Sequence, residues 1–241
     1  GANTNFDFSL KDNAFLHIET GISYERLFEE EFGAKRSLTQ NGAFFGSPER
    51  SSNQGFIGTA FNKQFNKRVF AGGFFSYIFN QFDLDFGAGR KFPRVSPAAL
   101  NNLNAPLDPG TGSQLNIEFD LELKPIDQLR LTLNYDKSRL IRNDTKLIAF
   151  DTNIFSTRAE YQFSRFVFVR SRWDYDTLSA KIGGQIIFGW NPSPGTAFYV
   201  GYNDNSNYRA YNEYRNRFDD GFRQDGRRFF IRFSYLFRRS F

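Results

Sequence analysis

Hydrophobic and polar residues alternate with a period of two along most of this chain. In residues 228–241 one face would carry Phe229, Ile231, Phe233, Tyr235, Phe237 and Phe241, with Arg239 as the exception. The other face would carry Arg232, Ser234, Arg238 and Ser240. Successive side chains of a β-strand point to opposite faces, so the pattern predicts a strand with one apolar and one polar face. The same alternation recurs between turn residues along the chain, which predicts an all-β protein.

The connections between the predicted strands alternate in length. About eleven strands are predicted from the alternation. Long outer loops are expected near residues 29–53, 87–112 and 203–226, with a further long connection after the sixth strand. Connections after odd-numbered strands are short, and those after even-numbered strands are long except for a tight turn at residues 176–177 after the eighth. This alternation is typical of an outer-membrane barrel. Because such barrels normally have an even strand number, we expect the C-terminal ~11–12 strands of a larger barrel.

Composition is consistent with this fold class. The chain has 32 Phe and 11 Tyr, yet its mean hydropathy is negative. An antiparallel transmembrane β-barrel of the outer-membrane type spreads aromatic residues over a lipid-facing band and lines its interior with polar groups. The absence of Cys excludes disulfides and thiolate sites. The net charge of +5 is scattered and not gathered in a stripe, so no nucleic-acid partner is expected.

The whole chain, residues 1–241, is therefore interpreted as one barrel domain in the bacterial outer membrane. Its expected partners are outer-membrane lipid, lipopolysaccharide and the barrel assembly machinery. The C-terminal assembly signal would comprise Phe233, Tyr235, Phe237 and Phe241. Glycans and other envelope proteins are further candidate partners, and no cofactor or metal is expected.

Charged residues of the predicted inner face form a luminal charged cluster. Its members are Glu118, Asp120, Glu122, Arg130, Arg158, Glu160, Arg170, Arg172, Asp174 and Lys181. The turns at residues 124–128 and 164–166 predict that Glu122 lies opposite Arg130, Glu160 opposite Arg170, and Arg158 opposite Arg172. The basic members either line a path for anions or sugar acids, or form an ion-pair network inside a narrow barrel. The acidic row at 118, 120 and 122 is interpreted as part of this charge ladder, since a straight strand cannot wrap a calcium ion.

His17 is the only histidine and faces inward beside Glu19 near a short turn. A hydrolase would need a nucleophile and an orienting carboxylate close to it, and the spacing shows neither. A hydrogen-bonded luminal histidine is therefore the favoured interpretation, and the chain is expected not to be an enzyme.

Aromatic residues also mark the predicted outer loops. They are Phe44 and Phe45 in the first loop and Tyr208, Tyr211 and Tyr214 in the last. Amphipathic rings beside Asn, Asp and Arg suit the binding of glycans or proteins.

Residues 189–203, GWNPSPGTAFYVGYN, and residues 233–237, FSYLF, carry a resemblance to a known family. The segments resemble the outer-membrane barrel family whose members have a family-nine-like carbohydrate-binding domain ahead of a C-terminal barrel. The resemblance implies an outer-membrane location, an upstream sugar-binding domain and a longer barrel. The family has no established catalytic residues that could be transferred to this chain.

Three functions follow from these observations. The leading hypothesis is a non-enzymatic, porin-like outer-membrane protein that binds or passes a saccharide or other polar solute, or serves as the barrel subunit of an envelope complex. The alternatives are an outer-membrane barrel hydrolase and a purely structural or assembly partner.

Overall fold

A computed structural model describes residues 1–33 and 42–236. Its long strands, numbered in chain order, are β1 (Ala2–Leu10), β2 (Ala14–Phe28), β3 (Glu49–Asn66), β4 (Val69–Asp83), β5 (Gly110–Ile126), β6 (Leu129–Arg142), β7 (Ile148–Ser164), β8 (Val167–Asp176), β9 (Lys181–Ser193) and β10 (Thr196–Tyr208). A small hairpin of β11 (Tyr211–Asn212) and β12 (Arg217–Phe218) precedes the last long strand, β13 (Phe222–Tyr235). Within the described residues β1 to β10 and β13 form one eleven-stranded sheet in which chain neighbours are also sheet neighbours. The prediction of an antiparallel all-β chain with about eleven strands is confirmed.

The strands are longer than the hydrophobic alternation predicts. β6 continues to Arg142 and β7 begins at Ile148, so the long connection expected after the sixth strand is only residues 143–147. β3 begins at Glu49 and β10 continues to Tyr208, inside two of the predicted loops. Polar residues extend these strands because the ladder is held by backbone hydrogen bonds, which do not require an apolar side. The connections after the odd-numbered long strands are short, as expected. The connection between β9 and β10, for example, consists of residues 194–195.

Where the structure describes the remaining connections, they contain two short helices. A 3-10 helix spans Glu29–Glu31, and helix α1 spans Pro97–Asn101. The Ser96 hydroxyl caps α1 by accepting a hydrogen bond from the Ala99 N–H at 3.1 Å, and Pro97 occupies the first turn. In the part of the chain that the structure describes, no helix is long and apolar enough to cross a membrane.

The chain divides into two compact units. Unit 1 contains Gly1–Asn62, Gly73–Glu118 and Asp136–Thr152, and unit 2 contains Lys63–Gly72, Phe119–Tyr135 and Asn153–Phe241. Among the described residues of unit 1, buried apolar side chains include two packed clusters. One contains Leu27, Phe44 and Phe82, and the other contains Val95, Leu140 and Ala149.

Unit 2 has an apolar face and a charged face. On β13 the side chains of Phe229, Ile231 and Phe233 are each more than 60% exposed. Across the sheet, Phe198 pairs with Phe233 and Val200 pairs with Ile231. Exposed aromatic and aliphatic side chains therefore lie in adjacent rows on one face, as predicted from the period-two pattern.

Candidate functional site

The charged face of unit 2 brings together most of the predicted luminal cluster. In register, Glu160 lies opposite Arg170 and Arg158 lies opposite Arg172, as the turn at residues 164–166 predicted. Gln185 of β9 then lies opposite Arg172. We call the side chains of Glu122, Arg130, Arg158, Glu160, Arg170, Arg172 and Asp174 the charged cluster. It surrounds a cavity of about 530 Å³, to which all of these except Asp174 contribute.

Ion pairs link most members of the charged cluster. The Arg130 Nη2 donates to Glu122 Oε2 at 2.6 Å, so an ion pair forms between these two residues of β5 and β6. The Arg170 Nη2 donates to Glu160 Oε1 at 3.1 Å. Arg172 also donates to Asp174 at 2.7 Å. The two residues are two positions apart on β8, so their side chains lie on the same face of the sheet.

Arg158 differs from the other arginines of the charged cluster. Within the described residues its guanidinium has no hydrogen bond and no ion-paired carboxylate, although it interacts electrostatically with Asp174. It lies directly opposite Arg172, and like charges in that arrangement are destabilising. An anion between the two guanidinium groups would remove that repulsion.

A ring packs beside the cluster on the same face. The Phe168 side chain is 7% exposed and covers Gly189, its partner on β9. A Cβ at Gly189 would lie 2.3 Å from the Phe168 ring, so the glycine leaves room for the aromatic. The Arg170 guanidinium lies 4.4 Å from the centre of the Phe168 ring, within cation–π range. The Arg170 guanidinium therefore lies between the Glu160 carboxylate and the Phe168 ring. This stack was not predicted from the sequence.

The other predicted members of the luminal cluster lie elsewhere. Asp120 accepts a hydrogen bond from the Asn134 amide. Lys181 lies opposite Asp176 at the start of β9. Glu118 is exposed on β5 and belongs to unit 1. In the described part of the chain no group of His, Cys, Asp and Glu side chains is arranged to hold a metal ion.

His17 lies opposite Asp7 in the first hairpin. Its Nδ1 is 2.7 Å from Asp7 Oδ1, and its Nε2 is 3.8 Å from Glu19 Oε2. The period-two pattern predicts Glu19 beside the ring. Asp7 was not predicted there; it lies opposite His17 because residues 11–13 form the turn between β1 and β2. Both ring nitrogens therefore face carboxylates, and no Ser or Thr hydroxyl of the described residues hydrogen-bonds the ring.

The predicted loop aromatics have different environments. Phe44 is fully buried at 0% exposure, so its assignment as a ligand-binding aromatic needs correction: its ring packs in the cluster of Leu27 and Phe82. Phe45 is 51% exposed. It lines a cavity of about 510 Å³ together with Asn101, Asn102 and Asn104.

The predicted aromatics of the last loop also include both packed and exposed rings. Tyr208 ends β10, where its ring packs against Tyr175 and Phe222 with centroids 6.2 and 4.8 Å away. Tyr211 packs edge-on against Phe218 across the small hairpin. Tyr214 is fully exposed. Of the terminal assembly residues, Phe233 and Tyr235 are exposed on β13, and Phe237 and Phe241 lie outside the described residues.

A network of arginines and aspartates joins the connections of unit 1. Asp85 has a fully buried side chain, and its Oδ2 accepts hydrogen bonds from Arg94 Nε and Nη2, the Ser96 hydroxyl and the Asp108 N–H. Arg142, also fully buried, donates to Asp83 at 2.7 Å and to Asp144 at 2.8 Å. We use the name loop cluster for the side chains of Arg50, Asp83, Asp85, Arg94, Ser96, Asp108, Arg142 and Asp144. Sequence reasoning missed it because its members come from separate connections.

Arg50 supplies the remaining contacts of the loop cluster. Arg50 donates to the Phe45 carbonyl at 2.5 Å and to the Ser47 carbonyl at 2.9 Å, and its Nη2 lies 3.4 Å from Asp108. Burial raises the pKa of the Asp144 carboxyl, but hydrogen bonds from Arg142 and from the Thr145 N–H outweigh this effect, and the pKa lies below its ordinary value. The cluster thus holds residues 42–50, 84–109 and 143–147 together.

Comparison with known proteins gives distant structural likenesses. No model of a known protein family matches the chain, and no curated protein sequence matches it. The chain resembles an outer-membrane protein, OmpT of Vibrio cholerae, with 13% identity and a TM-score of 0.43 over 97% of this chain. It spans 64% of that protein's length.

Two other solved structures are similar to a lesser degree. A FadL homologue of Pseudomonas aeruginosa has 11% identity and a TM-score of 0.33, over 96% of this chain and 64% of that one. The monoaromatic hydrocarbon channel CymD has 9% identity and a TM-score of 0.31, over 85% and 72%.

The fold class and location are supported by the strands themselves. Soluble proteins rarely expose contiguous apolar patches as large as adjacent rows of Phe, Ile and Tyr. Alternating strands with an apolar face and a charged face are the arrangement of an outer-membrane β-barrel protein, the class predicted from the sequence.

Proposed function

We propose that this chain is a non-enzymatic outer-membrane protein that binds or passes a polar solute, and that its charged cluster favours anions, among them sugar acids. The observation that carries the proposal is the pairing of Arg158 with Arg172 across β7 and β8. Of the four arginines around the cavity of about 530 Å³, Arg158 alone, within the described residues, has no ion-paired carboxylate. An anionic solute would supply the missing countercharge.

The charge around this cavity supports the same preference. Arg130, Arg158, Arg170 and Arg172 line it, against Glu122 and Glu160. Rings of basic side chains favour anions because the local potential raises their concentration. The ion-pair network is the alternative interpretation of these residues, and it accounts for Arg130 and Arg170 but leaves Arg158 unexplained.

Conductance across a planar bilayer tests the proposal. We expect a reversal potential in a KCl gradient that indicates anion selectivity, and galacturonate should reduce the chloride current. Arg158→Gln should lower both the selectivity and the block. Arg165→Gln is the matched control, because Arg165 lies in the turn between β7 and β8 and outside the charged cluster. Cation selectivity would contradict the anion preference, and absence of conductance together with absence of galacturonate binding would favour the structural or assembly function.

The non-enzymatic part of the proposal is supported by the surroundings of His17. A hydrolytic histidine needs a nucleophile within hydrogen-bond reach, and this ring faces Asp7 and Glu19 instead. Hydrolysis of ester or peptide substrates by the purified protein, lost in His17→Ala, would overturn this part.

The resemblance of residues 189–203 and 233–237 extends the proposal to the architecture of the full protein. We infer a family-nine-like carbohydrate-binding domain ahead of this chain. Intact mass and N-terminal sequence of the protein purified from outer membranes test this inference. A mass well above 28.0 kDa with a sugar-binding domain upstream would support it, and a mass near that value would overturn it.

A second candidate function is glycan binding by the loops of unit 1. An exposed ring at Phe45 lies beside three asparagine side chains around the cavity of about 510 Å³. Rings stack on the apolar faces of sugars while amides bond their hydroxyls. Phe45→Ala should abolish retention on immobilised envelope glycans, whereas Phe65→Ala, which removes an exposed ring from the end of β3, should not.

A further inference from the structure

Aromatic side chains cross the charged face of unit 2 beside the charged cluster. Phe168 of β8 lies over Gly189 of β9. In the same way Phe230 of β13 lies opposite Gly201 of β10, where a Cβ would collide with the far edge of the Phe230 ring. Because neither glycine has a side chain, each ring can lie across the neighbouring strand. Across β9 the register leads from Gly201 to Arg170 of the charged cluster, so these rings and the cluster share one face.

Tyr199 of β10 lies between these two rings. Its partners in register are Gly189 on β9 and Arg232 on β13, and its ring centroid is 6.3 Å from that of Phe168. We use the name aromatic strip for the side chains of Phe168, Tyr199 and Phe230. Phe168 is only 7% exposed, whereas Tyr199 and Phe230 are partly exposed. The strip therefore presents two rings to a solute on a face that is otherwise polar.

Two exposed arginines border the aromatic strip on β13. Arg228 and Arg232 lie two positions before and after Phe230, so all three side chains share one face at intervals of about 7 Å. Arg228 lies opposite Asn203, and Arg232 lies opposite Tyr199. Neither arginine thus has a carboxylate as its partner across the described sheet. Arg232 adjoins both exposed rings, one opposite and one on its own strand.

This combination indicates a ligand with a flat apolar face and a negative charge. An aromatic ring packs against the C–H face of a pyranose. A guanidinium binds a carboxylate through two parallel hydrogen bonds. We propose that the aromatic strip binds the ring of a cyclic sugar acid, which stacks on Tyr199 and Phe230 while its carboxylate is bound by Arg232. The proposal rests on the proposed function, since the sugar acid has to reach this face, and it adds a preference for cyclic over open-chain anions.

Calorimetry on the detergent-solubilised full chain tests the proposal with three probes. Galacturonate has a ring and a carboxylate, gluconate has the carboxylate without the ring, and galactose has the ring without the carboxylate. We expect galacturonate to bind more tightly than either of the others. Phe230→Leu should weaken galacturonate binding by about threefold to tenfold and leave gluconate binding unchanged, because leucine stays apolar but offers no flat ring. Phe229→Leu is the matched control, since Phe229 is 65% exposed on the opposite face of the same strand.

Two further variants keep the test decisive if Phe230→Leu does not fold. Tyr199→Leu should reduce the preference for galacturonate over gluconate in the same way. Arg232→Gln should weaken the binding of both acids and leave that of galactose unchanged.

Equal binding of galacturonate and gluconate to the wild-type chain, or equal losses in Phe230→Leu and Phe229→Leu, would overturn the proposal. These outcomes are distinguishable from failure of the proposed function, because calorimetry does not require a conducting pore. A chain that selects chloride over potassium but binds both acids equally would retain the proposed function and lose the aromatic site.

Discussion

The Arg142 Nη1, on the last residue of β6, donates to Asp83 Oδ2 at 2.7 Å although 59 residues separate the two along the chain. The arginine side chain is fully buried and also bonds Asp144 and the Asp108 carbonyl. A single guanidinium group thus joins the end of β4 to two connections of unit 1, residues 84–109 and 143–147. Removing it would leave two carboxylates without their buried partner.

We therefore expect Arg142→Gln to destabilise the protein strongly. Breaking a buried ion pair typically costs about 3–5 kcal/mol, because the remaining charge is left uncompensated. Urea unfolding in lipid vesicles would measure the change in the free energy of unfolding. Arg130→Gln is the control: its side chain is 58% exposed, and loss of its pair with Glu122 should cost ~1 kcal/mol or less. Equal losses in the two variants would contradict the special role of Arg142.

Acid should weaken the loop cluster through Asp144. The folded pKa of this carboxyl is lowered, so its ionised form stabilises the fold above the unfolded pKa, ~3.9, and that contribution is lost as the pH falls through the folded pKa. Asp144→Asn should therefore unfold more easily than wild type near pH 6, and the difference should shrink toward pH 3. Urea midpoints across this range would measure it, with Asp127→Asn as the exposed control. A difference that does not change with pH would contradict the prediction.

Glu160→Gln should change selectivity in the opposite direction to Arg158→Gln. Glu160 pairs with Arg170, and its removal leaves another guanidinium uncompensated at the charged cluster. We expect a higher ratio of chloride to potassium permeability, measured as a shift in reversal potential. The pair is half exposed, so the variant should lose only ~1 kcal/mol or less of stability. An unchanged reversal potential would mean that the solute does not pass this face.

Two glycines of β9 offer a matched test of the Phe168 stack. A Cβ at Gly189 would lie 2.3 Å from the Phe168 ring, whereas a Cβ at Gly183 would meet its nearest neighbour, Asn205 Oδ1, at 3.9 Å. Gly189→Ala should cost about 1–3 kcal/mol of unfolding free energy through overpacking, and Gly183→Ala should change it little. Phe168→Leu combined with Gly189→Ala should recover part of the loss. Without such recovery, the ring would not be the cause of the penalty.

The sequence predicted those parts of the structure that depend on period two and on short turns. A turn at residues 164–166 predicts Glu160 opposite Arg170 and Arg158 opposite Arg172, and the structure has this register because the pairing shifts between Gln162 and Ser164. The short turn after β5 likewise predicts the Glu122–Arg130 pair. In both hairpins few residues separate the partners, so the position of a single turn decides the pairing.

The loop cluster could not be predicted in this way. Arg142 and Asp83 lie at the ends of different strands, and no periodic pattern relates residues at such separations. The ends of β6 and β10 were missed because their residues are polar and carry no hydrophobic alternation. Helix α1 did have a local signal: Ser96 before Pro97 is a capping serine followed by a proline suited to the first turn.

The hydrogen bonds on Asp85 Oδ2 hold the two ends of residues 86–93 close together. Asp85 bonds Arg94 and Ser96, so this segment leaves and returns to nearly the same place, and Ala88 and Phe92 bridge within it. Nothing lies within 4 Å of the position that a Cβ would take on Gly89. The Asp85 carboxylate holds the two ends of this loop together. A peptide epitope inserted after Gly89 would therefore lengthen only the loop. The position is a natural site for surface display or fluorescent labelling.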